Sequence, residues 1–128
     1  MRLGITGSQN ITQFNPVLYF QLKEPNFRRF CIENGFLTCK VSEIITTSSD
    51  GVDTSARDWA GLLGFNLQTF SPDDDSAAAL LKCQKEVIAD SDLMLIIQNQ
   101  QSTQFDELLT YAKQLNKPVF LIYEFSNL

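Results

Sequence analysis

The hydrophobic positions along the chain show two spacings, which alternate from one segment to the next. Five short segments carry apolar residues at every second position or in an unbroken run, which is typical of strands. These predicted strands cover residues 1–6, 37–46, 65–70, 93–97 and 119–123. The segments between them carry apolar residues three and four positions apart, as on one face of a helix. These predicted helices cover residues 15–34, 52–63, 76–89 and 105–115.

Turn-forming residues mark the ends of several predicted elements. Gly35 and Gly64 follow the first and second helices in the position typical of a helix end. Pro16 suits the first turn of the first helix, whereas Pro25 is expected to break or kink it. The polar run 72–75 is expected to cap the third helix.

The order of the elements predicts the fold. Strands and helices alternate with short loops between them, which requires parallel strands joined by right-handed crossovers. The run 93–97 (LMLII) is apolar on both faces, which indicates a central strand covered on both sides. The sequence therefore predicts a three-layer Rossmann-like α/β sandwich with a central, mainly parallel five-stranded sheet, formed by residues 1–128 as one domain.

The length and the apolar runs set limits on the class of protein. With 128 residues, of which 44% are apolar, the chain is long enough for one ordinary core. Its longest apolar runs have the length of strands and fall far short of the roughly 20 residues that cross a bilayer. The stretch MRLGITGSQN does not have the pattern of a signal peptide. We therefore expect a cytoplasmic protein that does not interact with a membrane.

The charged and metal-binding residues exclude several functions. The chain has no histidine, which excludes serine-histidine triads, histidine acid/base catalysis and most zinc sites. A formal net charge of -5 argues against duplex nucleic acid as a partner. Cys31, Cys39 and Cys83 form no CxxC pair, and we interpret them as structural thiols. We expect neither a metal nor a cofactor.

Three loops, at 6–12, 46–54 and 98–106, follow strands at the end of the sheet where ligands of such folds bind. In the first loop, Gly7 and Ser8 would let a phosphate or a ribose approach the backbone closely. A plain turn explains the same two residues equally well.

The second loop is rich in hydroxyl groups, which residues 46–49 supply. Gly51 relaxes the backbone just before a helix N-terminus, where free N–H groups attract anions. The alternative is that Asp53, or Ser49 and Asp50 before it, caps this helix. Asp50 and Asp53 also place negative charge where a phosphate would lie.

The third loop begins a helix with Ser102 and Thr103, followed by Asp106 and Glu107. A capped helix start with acids in its first turn explains this composition without any ligand. The alternative is that a carboxylate one turn into the helix points into the cleft, where it binds ribose hydroxyls or acts as a base or nucleophile.

These loops and strands share their layout with a known family. The chain contains, in order, ITGSQN, EIITTSSDGVDTSARDWAGLLGFNLQTFSPD and LLKCQKEVIADSDLMLIIQNQQSTQFDELLTYAKQLNKPVFLI. In this layout it resembles the YspA/YpsA-related branch of the SLOG superfamily over nearly the whole chain, apart from the first helix region. The resemblance implies a Rossmann-like fold and a nucleotide or nucleotide-derived sugar as the ligand. The superfamily includes cytokinin-activating phosphoribohydrolases and DprA-type DNA-processing proteins, and nucleoside 2-deoxyribosyltransferases share a similar final β-α-β layout.

The ligand loops match the family patterns only in part. The patterns are roughly T-G-S-R after the first strand, G-G-A-x-G-x-D-x-x-A after the second, and S-x-G-T after the fourth, with an acid three residues beyond that threonine. The matching positions are Thr6, Gly7, Ser8, Gly51, Asp53, Ala56 and Thr103. Four parts of the patterns differ. Gln9 replaces an arginine, and Thr47, Ser48 and Ser49 replace two glycines and an alanine. Ser102 replaces a glycine, and Asp106 replaces a glutamate. Side chains in place of glycine obstruct a phosphate, so that a neutral sugar or nucleoside suits these loops better.

Three hypotheses follow. The first is a binding domain for a nucleoside- or nucleotide-like molecule, with weak or no catalysis. Its predicted ligand-binding residues are Gly7, Ser8, Gln9, Ser48, Ser49, Gly51, Asp53, Ser102 and Thr103. The second is an N-glycosidic hydrolase or a nucleoside 2-deoxyribosyltransferase-like enzyme that uses Asp106 as its catalytic residue. The third is a ligand-free scaffold that forms a homodimer, as members of this superfamily commonly do, through the aromatic-rich segment 14–36, for which ordinary core packing is the alternative.

Overall fold

The computed structural model describes residues 1–9, 11, 24–36, 40–99 and 105–124, with five strands and four helices in these ranges. The strands are β1 (Arg2–Gly7), β2 (Glu43–Thr47), β3 (Asn66–Phe70), β4 (Leu93–Asn99) and β5 (Val119–Glu124). The helices are α1 (Glu24–Glu33), α2 (Val52–Leu63), α3 (Ala77–Asp90) and α4 (Asp106–Gln114). Each predicted element is present, and most of the boundaries lie within a few residues of the predicted ones.

The five strands form one sheet in the order β3-β2-β1-β4-β5, and every neighbouring pair is parallel. The chain runs outwards from β1 to β3, and it then returns across the sheet to β4 and continues to β5. The strand order therefore reverses between β1 and β4, which is where the crevice at the carboxyl edge of such a sheet opens. The predicted Rossmann-like fold class is confirmed.

Two hydrophobic cores cover the two faces of the sheet. On one face, Phe27 of α1 and Trp59 of α2 pack with Leu95 of β4. On the other face, Val87 of α3 and Leu108 of α4 pack with residues of the sheet that point the opposite way. The helices therefore form the outer layers of a three-layer sandwich.

The strand β4 is buried on both faces, as its uninterrupted apolar sequence predicts. Leu95 and Ile97 belong to one core, whereas Met94 and Ile96 belong to the other. The strand β3 differs because it lies at the edge of the sheet, and Leu67 in it is exposed.

The first helix and the second strand are shorter than predicted within the described residues. Pro25 is the second residue of α1, so it lies in the first turn, where a missing N–H costs no helical hydrogen bond. The expected break at Pro25 depends on residues before Glu24 that lie outside the described ones, and it stays a prediction. The strand β2 begins at Glu43, the partner of Arg2, because β1 offers no residues for an earlier start. The predicted first half of the helix, 15–23, and residues 37–39 of the predicted strand lie outside the described residues.

The two predicted glycine helix ends are confirmed. Gly64 has φ 74° and its N–H donates to the carbonyl oxygen of Ala60, which closes α2 in the left-handed conformation that favours glycine. Gly35 has φ 92° just beyond α1. The predicted cap of α3 by the run 72–75 is wrong, because Ser76 is the N-cap and its side chain accepts a hydrogen bond of 3.1 Å from the N–H of Ala79.

Aromatic residues of α1 belong to the core. Phe27 is fully buried and contacts the ring of Phe120 edge-on at 5.6 Å, and Phe30 lies 5.2 Å from the same ring. Core packing therefore explains these two rings of the segment 14–36. In the described ranges, no helix has the length and apolar character needed to cross a bilayer.

Candidate functional site

A cleft of about 660 Å³ opens at the carboxyl ends of β1, β2 and β3. One wall is the loop between β2 and α2, which contributes Ser48, Ser49 and Asp50, together with Gln9 from the loop after β1. The opposite wall is the start of α3 and the turn before it. A cleft of this size accommodates a ligand as large as a nucleoside.

The wall formed by α3 is polar at its rim and apolar below it. Asp74, Asp75 and Ser76 are exposed at the rim, whereas the half-buried side chains of Leu80 and Leu81 lie further along the helix, followed by the buried Gln84. Asp74 accepts a hydrogen bond of 2.7 Å from the N–H of Ser76. The hydrogen bonds from Ser76 lower the pKa of Asp74. The entrance therefore carries negative charge at neutral pH.

The loop between β2 and α2 is held in place by one arginine. Arg57, one turn into α2, donates to the carbonyl oxygens of Thr47 and Ser49, the second at 2.9 Å. It also donates to Oγ1 of Thr54 at 3.1 Å. On the same wall, Nε2 of Gln9 donates to Oγ of Ser49 at 2.7 Å. The guanidinium thus fixes the backbone that presents the loop hydroxyls.

Gly7 and Gly51 allow protein segments, rather than a ligand, to approach each other. A Cβ atom on Gly7 would clash with the carbonyl oxygen of Ile97 and would lie 2.8 Å from the side chain of Val52. A Cβ atom on Gly51 would clash with the loop after β1, and Gly51 has φ 78°. Both glycines are therefore needed for the packing of the loops beneath the cleft.

The first N–H of α2 is already occupied. The carbonyl oxygen of Ser8 accepts a hydrogen bond of 3.2 Å from the N–H of Val52, and the N–H of Ser8 donates to Ile97 at 2.9 Å. Gly51 is the N-cap of α2 and makes no side-chain capping hydrogen bond. The helix start thus has one fewer N–H group to offer an anion than the sequence suggests.

Asp53 lies in the first turn of α2 and is 1% exposed. It does not cap the helix. Its Oδ2 atom accepts hydrogen bonds from Oγ1 of Thr47 and, at 3.3 Å, from Oγ1 of Thr6. Its Oδ1 atom is buried and finds no hydrogen-bond partner among the residues that the structure describes. A buried carboxyl oxygen without a partner is unfavourable, so this position costs stability.

Burial raises the pKa of Asp53 from 3.8 to about 7. The hydroxyl groups of Thr47 and Thr6 and the charge of Arg57 act in the opposite direction and lower the pKa. The two influences leave a carboxyl group that changes its charge close to neutral pH.

The hydrogen bonds of Asp53 extend into the cleft wall on α3. Nε2 of Gln84 donates to Oγ1 of Thr6 at 3.2 Å, and the N–H of Ser49 donates to Oγ1 of Thr47 at 3.1 Å. Gln84 and Ser49 both line the cleft. Asp53 is therefore one hydroxyl group away from the cleft lining on two sides.

Four residues of this network are absent from the predicted site residues, although two of them, Thr6 and Thr47, belong to the predicted ligand loops; the other two are Arg57 and Gln84. Only Gln84 carries a usable signal, because it is a polar residue on the apolar face of α3, in line with Leu80 and Val87. Thr6 contacts segments 47 and 78 positions away, whereas Thr47 and Arg57 lie close to Asp53 in the chain.

The predicted site residues fall into four groups. Gln9, Ser48 and Ser49 line the cleft. Gly7, Ser8, Gly51 and Asp53 lie beneath it in the loop packing described above. Asp106 is the exposed first residue of α4 and is not part of the cleft lining. Ser102 and Thr103 lie outside the described residues.

Charge and ligating groups limit what the cleft binds. The charged residues in its described lining are Asp50, Asp74 and Asp75, and that lining contains no lysine or arginine.

Gln98, buried at the carboxyl end of β4, has an Oε1 atom without a hydrogen-bond partner in the described part of the chain. The same part of the chain contains no group of three or more histidine, cysteine or acidic residues that could hold a metal ion.

Comparisons with protein-family models, with curated proteins and with solved structures find no match to this chain.

Proposed function

We propose that this domain binds a neutral small molecule rich in hydroxyl groups, of the nucleoside type, with weak or no catalysis. One observation carries the proposal: the cleft at the carboxyl edge of the sheet combines hydroxyl and amide groups with acids and has no cation in its described lining. Ser48, Ser49, Gln9 and Gln84 supply donors and acceptors for sugar hydroxyls and for the edge of a base. Leu80 supplies an apolar surface for the base.

The charges of the cleft favour a neutral ligand over a phosphorylated one. A phosphate would have to enter past Asp50, Asp74 and Asp75 without a cationic partner in the described lining. The N–H of Val52, which would otherwise serve as an anion donor, is bonded to Ser8. Both features support a nucleoside rather than a nucleotide.

The resemblance to the YspA/YpsA-related branch of the SLOG superfamily supports the same class of ligand. It associates these loops with nucleotide-derived molecules. The departures from the family pattern at Gln9, Ser48 and Ser49 lie on the cleft wall, where they replace a phosphate-binding group and small residues with neutral polar side chains.

Catalysis through Asp106 receives no support from the geometry. The carboxyl group is exposed at the start of α4 and does not line the cleft. An N-glycosidic reaction needs a carboxylate within reach of the sugar, because about 1 Å of misplacement costs roughly a hundredfold in rate. Binding without turnover is therefore the better-supported function.

Isothermal titration calorimetry with adenosine and adenosine monophosphate tests the proposal. Adenosine should bind more tightly than its monophosphate, and Gln9→Ala should weaken binding because it removes an amide from the cleft mouth. Gln114→Ala is the matched control, since Gln114 is exposed on α4 away from the cleft. Tighter binding of the monophosphate, or no binding by adenosine, would contradict the proposal.

A further inference from the structure

One side of α3 lines the cleft and ends at a buried amide group. Its residues are spaced three and four positions apart, so they share one side of the helix: Ala77, Leu80, Leu81 and Gln84. The first three are apolar, whereas Gln84 is polar and only 6% exposed. A flat ligand that lies along the two leucines therefore meets the amide of Gln84 with its edge.

The hydrogen bonds of Gln84 fix which end of its amide faces the cleft. Nε2 of Gln84 donates to Oγ1 of Thr6 at 3.2 Å. A threonine hydroxyl has one proton, and that of Thr6 is directed to Oδ2 of Asp53 at 3.3 Å. Oγ1 of Thr6 therefore faces Gln84 as an acceptor, and only the NH2 end of the amide can donate to it.

This direction is the same for both protonation states of Asp53. An ionised carboxylate accepts at Oδ2, and so does a neutral acid that carries its proton on Oδ1. In each state, Oδ2 accepts the hydroxyl protons of Thr6 and Thr47. The orientation of the Gln84 amide therefore depends on the hydroxyl group of Thr6 and not on the charge of Asp53.

The carbonyl end of the same amide is left for a ligand. Oε1 of Gln84 accepts no hydrogen bond from the residues that the structure describes, and it is not fully buried. Because Gln84 lines the cleft, this oxygen opens into the cleft. A carbonyl oxygen accepts hydrogen bonds and cannot donate them. The inner end of the cleft therefore needs a hydrogen-bond donor from the ligand.

We propose that Gln84 makes the cleft specific for a nucleoside whose base carries an amino group, which donates a hydrogen bond to Oε1 of Gln84. The inference rests on the proposed function and narrows its class of ligand. Adenine carries such an amino group on the edge of a flat ring. The ring lies along Leu80 and Leu81, and the amino group reaches Gln84. A base with a carbonyl oxygen at that place would bring two acceptors together.

Calorimetric titration with adenosine and with purine riboside, which is adenosine without its amino group, tests the inference. Purine riboside should bind roughly tenfold more weakly, because its ring covers Oε1 of Gln84 without offering a donor. Gln84→Met keeps the length of the side chain and removes the carbonyl oxygen, so both nucleosides should bind this variant with equal affinity. Gln114→Met, on α4 away from the cleft, is the matched control and should keep the preference for adenosine.

Two substitutions of Thr6 test what holds the amide in place. Thr6→Val keeps the shape of the side chain and removes the acceptor, so the amide can turn and the preference for adenosine should fall. Thr6→Ser keeps the hydroxyl group and should retain the preference. An unchanged preference in Thr6→Val would overturn the inference. This pair of variants also serves if Gln84→Met does not fold.

Nuclear magnetic resonance of the free, isotopically labelled protein measures the orientation of the amide without a ligand. The Hε2 protons of Gln84 should show nuclear Overhauser contacts with Thr6, and they should exchange slowly with water because they are hydrogen-bonded. Fast exchange of these protons without contacts to Thr6 would overturn the inference.

The binding results separate the inference from the proposed function. Equal affinity of the wild type for adenosine and purine riboside would overturn the role of Gln84 and leave the proposed function intact. A preference for adenosine that persists in Gln84→Met would have the same meaning. Failure of both nucleosides to bind would contradict the proposed function and, with it, the inferred class of base.

Discussion

The substitution Asp53→Asn should make the protein more resistant to alkaline conditions. Asparagine has nearly the same shape as aspartate, and its carbonyl oxygen can accept the same hydrogen bonds from Thr6 and Thr47. The amide group takes the place of Oδ1, which has no hydrogen-bond partner among the described residues. The variant therefore keeps the packing and removes the buried charge.

The magnitude follows from the pKa of Asp53. Burial raises this pKa from 3.8 to about 7, so that folding favours the neutral acid. The folded protein then binds one more proton than the unfolded chain between these values, and the free energy of unfolding falls by about 1.4 kcal/mol per pH unit. Below the lower value the contribution of Asp53 is fully present, and above the higher value about 4 kcal/mol has been lost.

Chemical denaturation of the wild type and of Asp53→Asn at pH 5 and pH 8.5 measures this contribution. The stability of the variant relative to the wild type should rise by about 3 kcal/mol between the two pH values. Asp58→Asn, which removes an exposed acid of the same helix, is the matched control against which the effect of Asp53→Asn is measured. A difference in the free energy of unfolding between the wild type and Asp53→Asn that is the same at both pH values would contradict a raised pKa of Asp53.

Four further substitutions test the packing and the cleft. Gly7→Ala should destabilise the protein by about 1–3 kcal/mol, since its Cβ would clash with the carbonyl oxygen of Ile97. Gly61→Ala should stabilise the protein by about 0.5–1 kcal/mol, because a Cβ atom at this position of α2 meets no neighbouring atom. Similar effects of Gly7→Ala and Gly61→Ala on the free energy of unfolding in urea would argue against the packing role of Gly7. Ser76→Ala should lower the free energy of unfolding by about 1 kcal/mol through loss of the cap of α3, and an unchanged urea midpoint would speak against that cap. Asp106→Ala should leave adenosine binding by calorimetry unchanged, whereas loss of binding in a folded variant would favour the enzymatic alternative.

Local signals in the sequence explain why most of the fold could be predicted. Gly64 ends α2 because glycine adopts the left-handed conformation readily. This preference is a property of the residue itself, so it can be predicted without the tertiary structure. The apolar run of β4 likewise predicts burial on both faces. The start of β2 was not predictable in the same way, because it depends on the register with β1, where Arg2 pairs with Glu43.

The site was harder to predict because its hydrogen bonds join distant parts of the chain. Thr6 and Asp53 are separated by 47 positions, and Gln84 and Thr6 by 78. From the sequence, Asp53 is equally well a helix cap or a ligand-binding residue. Only the packing of α2 over the ends of the strands shows that its carboxyl group is buried between two hydroxyl groups.

Titration of the isotopically labelled protein with adenosine, followed by two-dimensional nuclear magnetic resonance, tests whether the cleft at the carboxyl edge of the sheet binds a nucleoside. We expect saturable changes in the signals of Ser48, Ser49 and the Gln84 side chain, with no change at Lys113 of α4, which does not line the cleft. Saturable changes confined to residues outside the cleft, or no changes at any adenosine concentration, would contradict nucleoside binding in the cleft.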